Sequence, residues 1–179
     1  MAGQVWELRK VVIAGSVQTQ YALAGQGRAG HLVRRVRIHP DLAPLIQFMV
    51  NGFMRPSDIK NLKHQHVEVI RGTHAYLRLQ LPESKRHDRP IVSLQPAVRV
   101  YEMLKQHGSA GGRTQPEDWV FLPQEKNRAY ALSVLGWMFR QVLEPLGLRD
   151  GPHGNPRTLY SLRHTAITLR LLYGKGIDI

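Results

Sequence analysis

Between residues 41 and 107 the apolar residues change their spacing twice, and this confines the fold more than any other feature of the chain. Leu42, Leu45, Ile46, Met49 and Val50 recur at intervals of three and four, which predicts an amphipathic helix over 41 to about 52, with Asp41 as its N-cap, ending at Asn51-Gly52. His66 to Ile70 then alternates, Arg71-Gly72-Thr73-His74 turns, and Ala75 to Leu81 alternates again. In that second run Tyr76, Arg78 and Gln80 fall on one face, and Leu77, Leu79 and Leu81 on the other. A polar loop from Pro82 to Arg89 leads to Pro90-Ile91-Val92-Ser93-Leu94, the third strand of an antiparallel meander. Helical spacing returns through Val98, Tyr101 and Leu104, from Pro96 to His107, and stops at Gly108. A small sheet set between helices makes an α+β fold, mainly helical.

The rest of the chain extends the helical part. Gly108 to Glu117 reads as a flexible loop and Trp119-Val120-Phe121-Leu122 as a short apolar segment. The longest predicted helix covers Ala129 to Leu146, with Pro145 at its fraying end. Its stripe of Leu135, Met138, Val142 and Leu146, widened by Trp137 and Leu132, is read as core rather than as a cofactor box. Gly147 to Asn155 is a loop, and a last helix runs from about Thr158 to Tyr173 and closes at Gly174. No internal repeat is evident.

Residues 1 to 40 lack a sustained period. Val11 to Ile13 is a brief apolar run, followed by Ala24-Gly25-Gln26-Gly27-Arg28-Ala29-Gly30 and the basic cluster Arg34, Arg35 and Arg37. The segment is read as a loosely ordered basic arm or linker holding at most one short helix or strand, and residues 41–179 as the folded domain. Its arginines either serve DNA phosphates, releasing counterions, or form a solvated lead-in with no task.

Charge narrows the partner. Against 13 acidic residues the chain sets 25 lysines and arginines, a formal net charge of +12, so a polyanion is expected and nucleic acid is the commonest one. Cysteine is absent, which removes disulfides and thiolate zinc sites and fits a reducing compartment. No apolar run is long enough to span a bilayer, and the opening Met1-Ala2-Gly3-Gln4-Val5-Trp6-Glu7 has none of the parts of a signal peptide. The expectation is a cytoplasmic protein.

The chemistry centres on Thr158 to Thr168. Tyr160 and Arg163 are three apart on a helix and share a face, so a phenol and a guanidinium can address one anion, while Leu159 and Leu162 turn to the core. A second cation comes from Phe53-Met54-Arg55-Pro56-Ser57-Asp58. Pro56 suits the first turn of a helix, which sets Arg55 at a helix start with Asp58 one turn on, able to hold the guanidinium from behind. The alternative is a surface Arg–Asp pair contributing under about 1 kcal/mol. Lys85, Arg86 and Arg89 crowd the tip of the meander. Such a tip is either a solvated turn or a mobile donor, since an ammonium is a competent proton source for a leaving oxygen. His64 and His66 flank Gln65 without a third ligand cluster, and there is no phosphate-binding glycine loop or serine elbow, so neither metal nor nucleotide is expected.

Three of these stretches resemble, in order and spacing, the boxes of the tyrosine recombinases, the phage-integrase family. Gly52-Phe53-Met54-Arg55-Pro56-Ser57-Asp58-Ile59-Lys60-Asn61-Leu62 resembles the first arginine box, Ser84-Lys85 before Pro90-Ile91-Val92-Ser93-Leu94 the β-hairpin lysine, and Leu162-Arg163-His164-Thr165 the second arginine box. The resemblance covers about residues 41 to 179. It implies a catalytic core that breaks and rejoins duplex DNA through a 3′-phosphotyrosyl link, without cofactor, in integration or recombination by mobile elements, self-associating on its DNA. By that resemblance Arg55 and Arg163 hold the non-bridging oxygens of the scissile phosphate, Lys85 protonates the departing 5′ oxygen, and Asp58 and His164 support them. Arg34, Arg35, Arg37, Arg86 and Arg89 would contact the DNA.

Two positions depart from the family pattern. Tyr160 stands where the family has histidine, and a phenol donates a hydrogen bond but takes no proton near neutral pH. The family's nucleophilic tyrosine lies further beyond the second arginine than this chain extends, and Tyr173, ten residues after Arg163, falls roughly 15 Å along the helix axis. The expectation is therefore a fragment that binds DNA and does not cleave it unaided. The alternative is a non-catalytic DNA-binding module, a decayed or regulatory relative.

Overall fold

The computed structural model describes residues 16–22, 31–81 and 90–173. The loop that carries Lys85, Arg86 and Arg89 lies outside the described residues. The chain is mixed α+β and divides into two compact units, residues 1–43 with 135–158, and residues 44–134 with 159–179. The second unit holds the meander, residues 52–62 and 162–165, and most of the core.

In the first unit the segment read as a loose arm contains two paired strands, β1 (Ser16–Ala22) and β2 (His31–Arg37). They are antiparallel, with Gln18 opposite Arg35, Thr19 opposite Arg34 and Ser16 opposite Arg37. The arginines mask the pattern: Val33 and Val36 supply β propensity, but three cations in four positions hide the alternation that marks a half-buried strand. The end of the helix numbered α4 below contributes Leu135, Phe139, Val142 and Leu143, all buried. Trp137, read as widening this stripe, is 43% exposed. The reason is angular, since a residue two positions after Leu135 points about 200° around the helix. In the loop that follows, Arg149 Nη1 donates to the Arg157 carbonyl at 3.0 Å and Arg157 Nη1 to the Leu148 carbonyl at 2.9 Å, so two arginines are spent on closing it.

The second unit is built as the periodicity predicts. The helix α1 (Leu42–Gly52) buries Leu45, Ile46, Phe48 and Met49. The one-turn α2 (Pro56–Lys60) follows, with proline at its start. After a 3₁₀ turn at His64–His66 come β3 (Val67–Ile70), β4 (Tyr76–Leu79) and β5 (Ile91–Val92), antiparallel in sequence order. Leu77 and Leu79 are fully buried while Arg78 faces out to pair with Glu68 directly across the sheet at 3.2 Å. The buried Ser93 ties the sheet together by accepting the Leu77 N–H on its hydroxyl at 2.9 Å. The Leu94 N–H meets the Asn51 carbonyl at 2.8 Å, fixing the meander to the end of α1.

The helix α3 (Pro96–Ala110) passes Gly108 instead of stopping there. That glycine answers to a close approach: a Cβ at this position would lie 2.8 Å from the Arg113 carbonyl, on the loop that folds back to bond Gly108. Val120, Phe121 and Leu122 are buried, Phe121 edge-on to Phe48 with ring centroids 5.5 Å apart. Burial of each such large apolar side chain contributes roughly 1.5–3 kcal/mol. The helix α4 (Arg128–Leu143) begins in this unit, and α5 (Leu159–Tyr173) completes it through Leu159, Leu162 and Ala166. These three are spaced by three and four, so α5 is core along one edge and open along the other.

Candidate functional site

The site grows from the bend after α1. Phe53 holds φ at +57°, a left-handed conformation that bulky residues rarely take. The bend lets the chain turn at once into α2, and it leaves the Phe53 carbonyl turned toward α5. Arg163, 110 residues later, donates to that carbonyl through Nη1. Seven residues further along α5, the Arg170 guanidinium sits over the Phe53 ring, 5.0 Å from its centroid. One residue thus anchors two arginines, by its carbonyl and by its ring.

Arg55 lies two residues beyond Phe53, half-buried, at the N-cap of α2 with φ −81° and ψ 154°. The local chemistry differs from the expectation in two ways. Asp58 accepts the Arg55 backbone N–H at 2.9 Å, closing the first turn; its carboxylate serves the main chain and not the guanidinium. The helix start offers few donors: Pro56 has no N–H, and the Asp58 and Ile59 N–H groups both point to the Arg55 carbonyl, at 3.0 and 3.2 Å. A five-residue helix has little dipole to offer. An anion held here relies mainly on side chains.

On α5, Tyr160 is exposed and its ring meets His164 edge-on, with centroids 5.0 Å apart. The phenol packs with the residue four ahead, and Arg163 leans the other way, to Phe53. Arg163 is half-buried and His164 exposed. The helix runs unbroken to Tyr173, so Tyr173 is ten residues, roughly 15 Å along the axis, from Arg163.

Of the sequence-predicted residues, the structure brings Arg163 against the segment that carries Arg55 and Asp58, with Tyr160 and His164 on the same helix as Arg163. Arg34, Arg35 and Arg37 belong to β2, in the other unit. Lys85, Arg86 and Arg89 lie outside the described residues. Phe53 and Arg170 escaped the sequence reading. Arg170 carried a signal, its spacing of seven from Arg163; Phe53 carried none, because its sequence neighbourhood gives no reason to expect a left-handed phenylalanine.

The histidines read as weak metal candidates have other work. His64 is buried, its Nδ1 3.0 Å from the Tyr101 hydroxyl. Burial pushes the imidazole below its ordinary pKa, helped by Lys105 and opposed by Asp118 and the Arg113 main chain. Burial raises the Tyr101 phenol to about 12. His66 is also lowered, by burial and then by Lys63. Among the described residues no group of three histidines or carboxylates could hold a metal. An open pocket lined by Ala75, Gln95, Pro96, Val98 and Arg99 includes none of the predicted site residues. Among the described residues no helix is long and apolar enough to cross a membrane. Compared with protein-family models and with curated proteins, the chain has no match in either.

Proposed function

We propose that this chain carries the DNA-binding catalytic core of a tyrosine-type recombinase, whose Arg55 and Arg163 grip one phosphodiester. The observation that carries the reading is the hydrogen bond from Arg163 to the Phe53 carbonyl, which joins the second arginine stretch to the first across 110 residues. A net charge of +12 is consistent with it.

The chemistry follows from the two guanidinium groups. When an oxygen nucleophile attacks a phosphodiester, negative charge grows on the non-bridging oxygens, and planar forked donors hold that charge best. Arg55 and Arg163 would take this role, and Lys85 would protonate the departing 5′ oxygen. Tyr160 would add a hydrogen bond from its hydroxyl but no proton abstraction. The bond energy of the broken ester would be conserved in a 3′-phosphotyrosyl link, so rejoining needs no nucleotide.

A second reading, a DNA-binding module without chemistry, draws on the net charge of +12 alone. The two readings separate on a nicked suicide duplex incubated with the longest natural form of the chain. A covalent protein–DNA adduct that disappears in Arg163→Ala supports the recombinase. Binding with no adduct supports the module. Binding that is insensitive to salt and to both arginine substitutions defeats both.

A further inference from the structure

We propose that Arg170 is an additional phosphate-binding residue, presented beside Arg163 by the ring of Phe53; the inference rests on the DNA-binding reading above. Arg163 and Arg170 are seven residues apart on α5, so they point within about 20° of each other and stand about 10.5 Å apart along the axis. Both lean on the same residue, Arg163 on the Phe53 carbonyl and Arg170 on its ring at 5.0 Å. They differ in exposure: Arg163 is half-buried, Arg170 open to solvent.

A guanidinium stacked through its flat face keeps its N–H edge available, which is the edge that grips a phosphate. Stacking also removes much of the rotamer freedom a free arginine must give up on binding. Phe53 thereby ties two cations on α5 to the loop of the first arginine stretch, and it accepts a left-handed backbone to do so. A ring used only to fill the core would be buried, whereas Phe53 is partly exposed and covered by a charge. The row of cations, one half-buried and one open, suits a sugar–phosphate strand that passes over α5 and enters the site at Arg163.

The test uses duplex DNA and fluorescence anisotropy between about 50 and 200 mM salt, where each phosphate contact contributes about 0.9 to the slope of log affinity against log salt. Arg170→Ala should reduce that slope by about 0.9 with the thermal midpoint unchanged, and Arg170→Lys should restore it. Phe53→Gly keeps the left-handed backbone, and with it the carbonyl that Arg163 uses, while deleting the ring. It should weaken binding about two- to fivefold, the worth of an exposed cation–π contact, and have no further effect once Arg170 is alanine. An unchanged slope in Arg170→Ala, or fully additive effects of the two substitutions, overturns the inference. If Arg163→Ala lowers the slope while Arg170→Ala does not, the DNA reading survives and only Arg170 is lost. If the unsubstituted chain shows no salt-dependent binding, the DNA reading itself falls.

Discussion

Two arginines of the same unit, Arg128 and Arg163, show what the fold does with a guanidinium it needs and with one it leaves available. Arg128 gives Nε to the Lys60 carbonyl at 2.8 Å, Nη1 to the Leu122 and Glu125 carbonyls at 3.0 and 2.8 Å, and Nη2 to the Phe121 carbonyl at 2.8 Å. It also lies 4.7 Å from the centre of the Trp119 ring, which Lys63 approaches at the same distance. Four of its five N–H donors are spent, and burial draws its pKa down. Among the described residues Arg163 makes a single hydrogen bond, to Phe53. A saturated guanidinium is architecture, while one with open donors beside a second arginine stretch can hold a ligand.

The sharpest way to break this contrast is to remove Arg128. Arg128→Met takes the side-chain donor from the Lys60, Phe121 and Glu125 carbonyls, while the Leu122 carbonyl keeps the Glu125 N–H at 3.0 Å, and each unmet acceptor costs about 1 kcal/mol or more. A loss of about 3 kcal/mol in urea unfolding is expected. The salt slope of DNA binding, measured where the variant is fully folded, should stay the same. A stable variant with a reduced slope would mean that Arg128, and not Arg163, faces the anion.

The next effect belongs to the same architectural side. His64 and Tyr101 hold each other inside the core, and the lowered pKa of His64 means that the folded chain resists its protonation. Its stability contribution is therefore complete above the unfolded value of 6.5 and drains away as pH falls through the lowered folded value. Unfolding free energy should drop between pH 7 and pH 5, and His64→Phe should flatten that part of the profile. Tyr101→Phe should cost about 1 kcal/mol by removing the partner of the His64 Nδ1 while leaving the pH slope in place. His66, lowered for the same reason, adds to the slope from the protein surface.

How much of this was readable beforehand depended on whether a residue's role is set by its neighbours in sequence. The meander and the helices around it were legible because period-two and period-3.6 spacing record burial directly: Leu77 and Leu79 fell where alternation put them, and Leu159 and Leu162 where helical spacing did. The pairing of β1 with β2 was not, since Arg34, Arg35 and Arg37 obscure its alternation. Arg128 looked like any other basic residue at a helix start, because its four acceptors come from carbonyls whose positions only the folded chain defines. Gly108 looked like a helix stop and is a point of contact. At the site, Arg55 and Arg163 were legible as candidates through their spacing from Asp58 and Tyr160. The element that unites their segments, a left-handed Phe53, leaves no trace in sequence.

On the available side of the contrast the stability effects should be smaller and the binding effects specific. Arg163→Ala removes one hydrogen bond to a main-chain carbonyl, so a stability cost of about 1 kcal/mol is expected, with the DNA salt slope reduced by about 0.9. A cost as large as that of Arg128→Met, with the slope intact, would show that both arginines are structural and that the contrast is false.

The smallest effect should come from Tyr160. It is 43% exposed, and Tyr160→Phe keeps the ring and its edge-on packing with His164, so stability should change by no more than about 0.5 kcal/mol, as for other surface substitutions. What it removes is a donor. If the phenol hands a hydrogen bond to the phosphate that Arg163 holds, loss of that bond to a charged acceptor should weaken DNA binding by about 1.5 kcal/mol or less, with the salt slope unchanged because no charge is lost. Tyr160→His restores a donor and introduces a group that titrates near neutrality. Binding of that variant should strengthen more than that of the parent as pH falls through about 6.5. Equal pH profiles for the two would put Tyr160 away from the anion, and would move the working edge of α5 from the Tyr160–His164 side to the Arg163–Arg170 side.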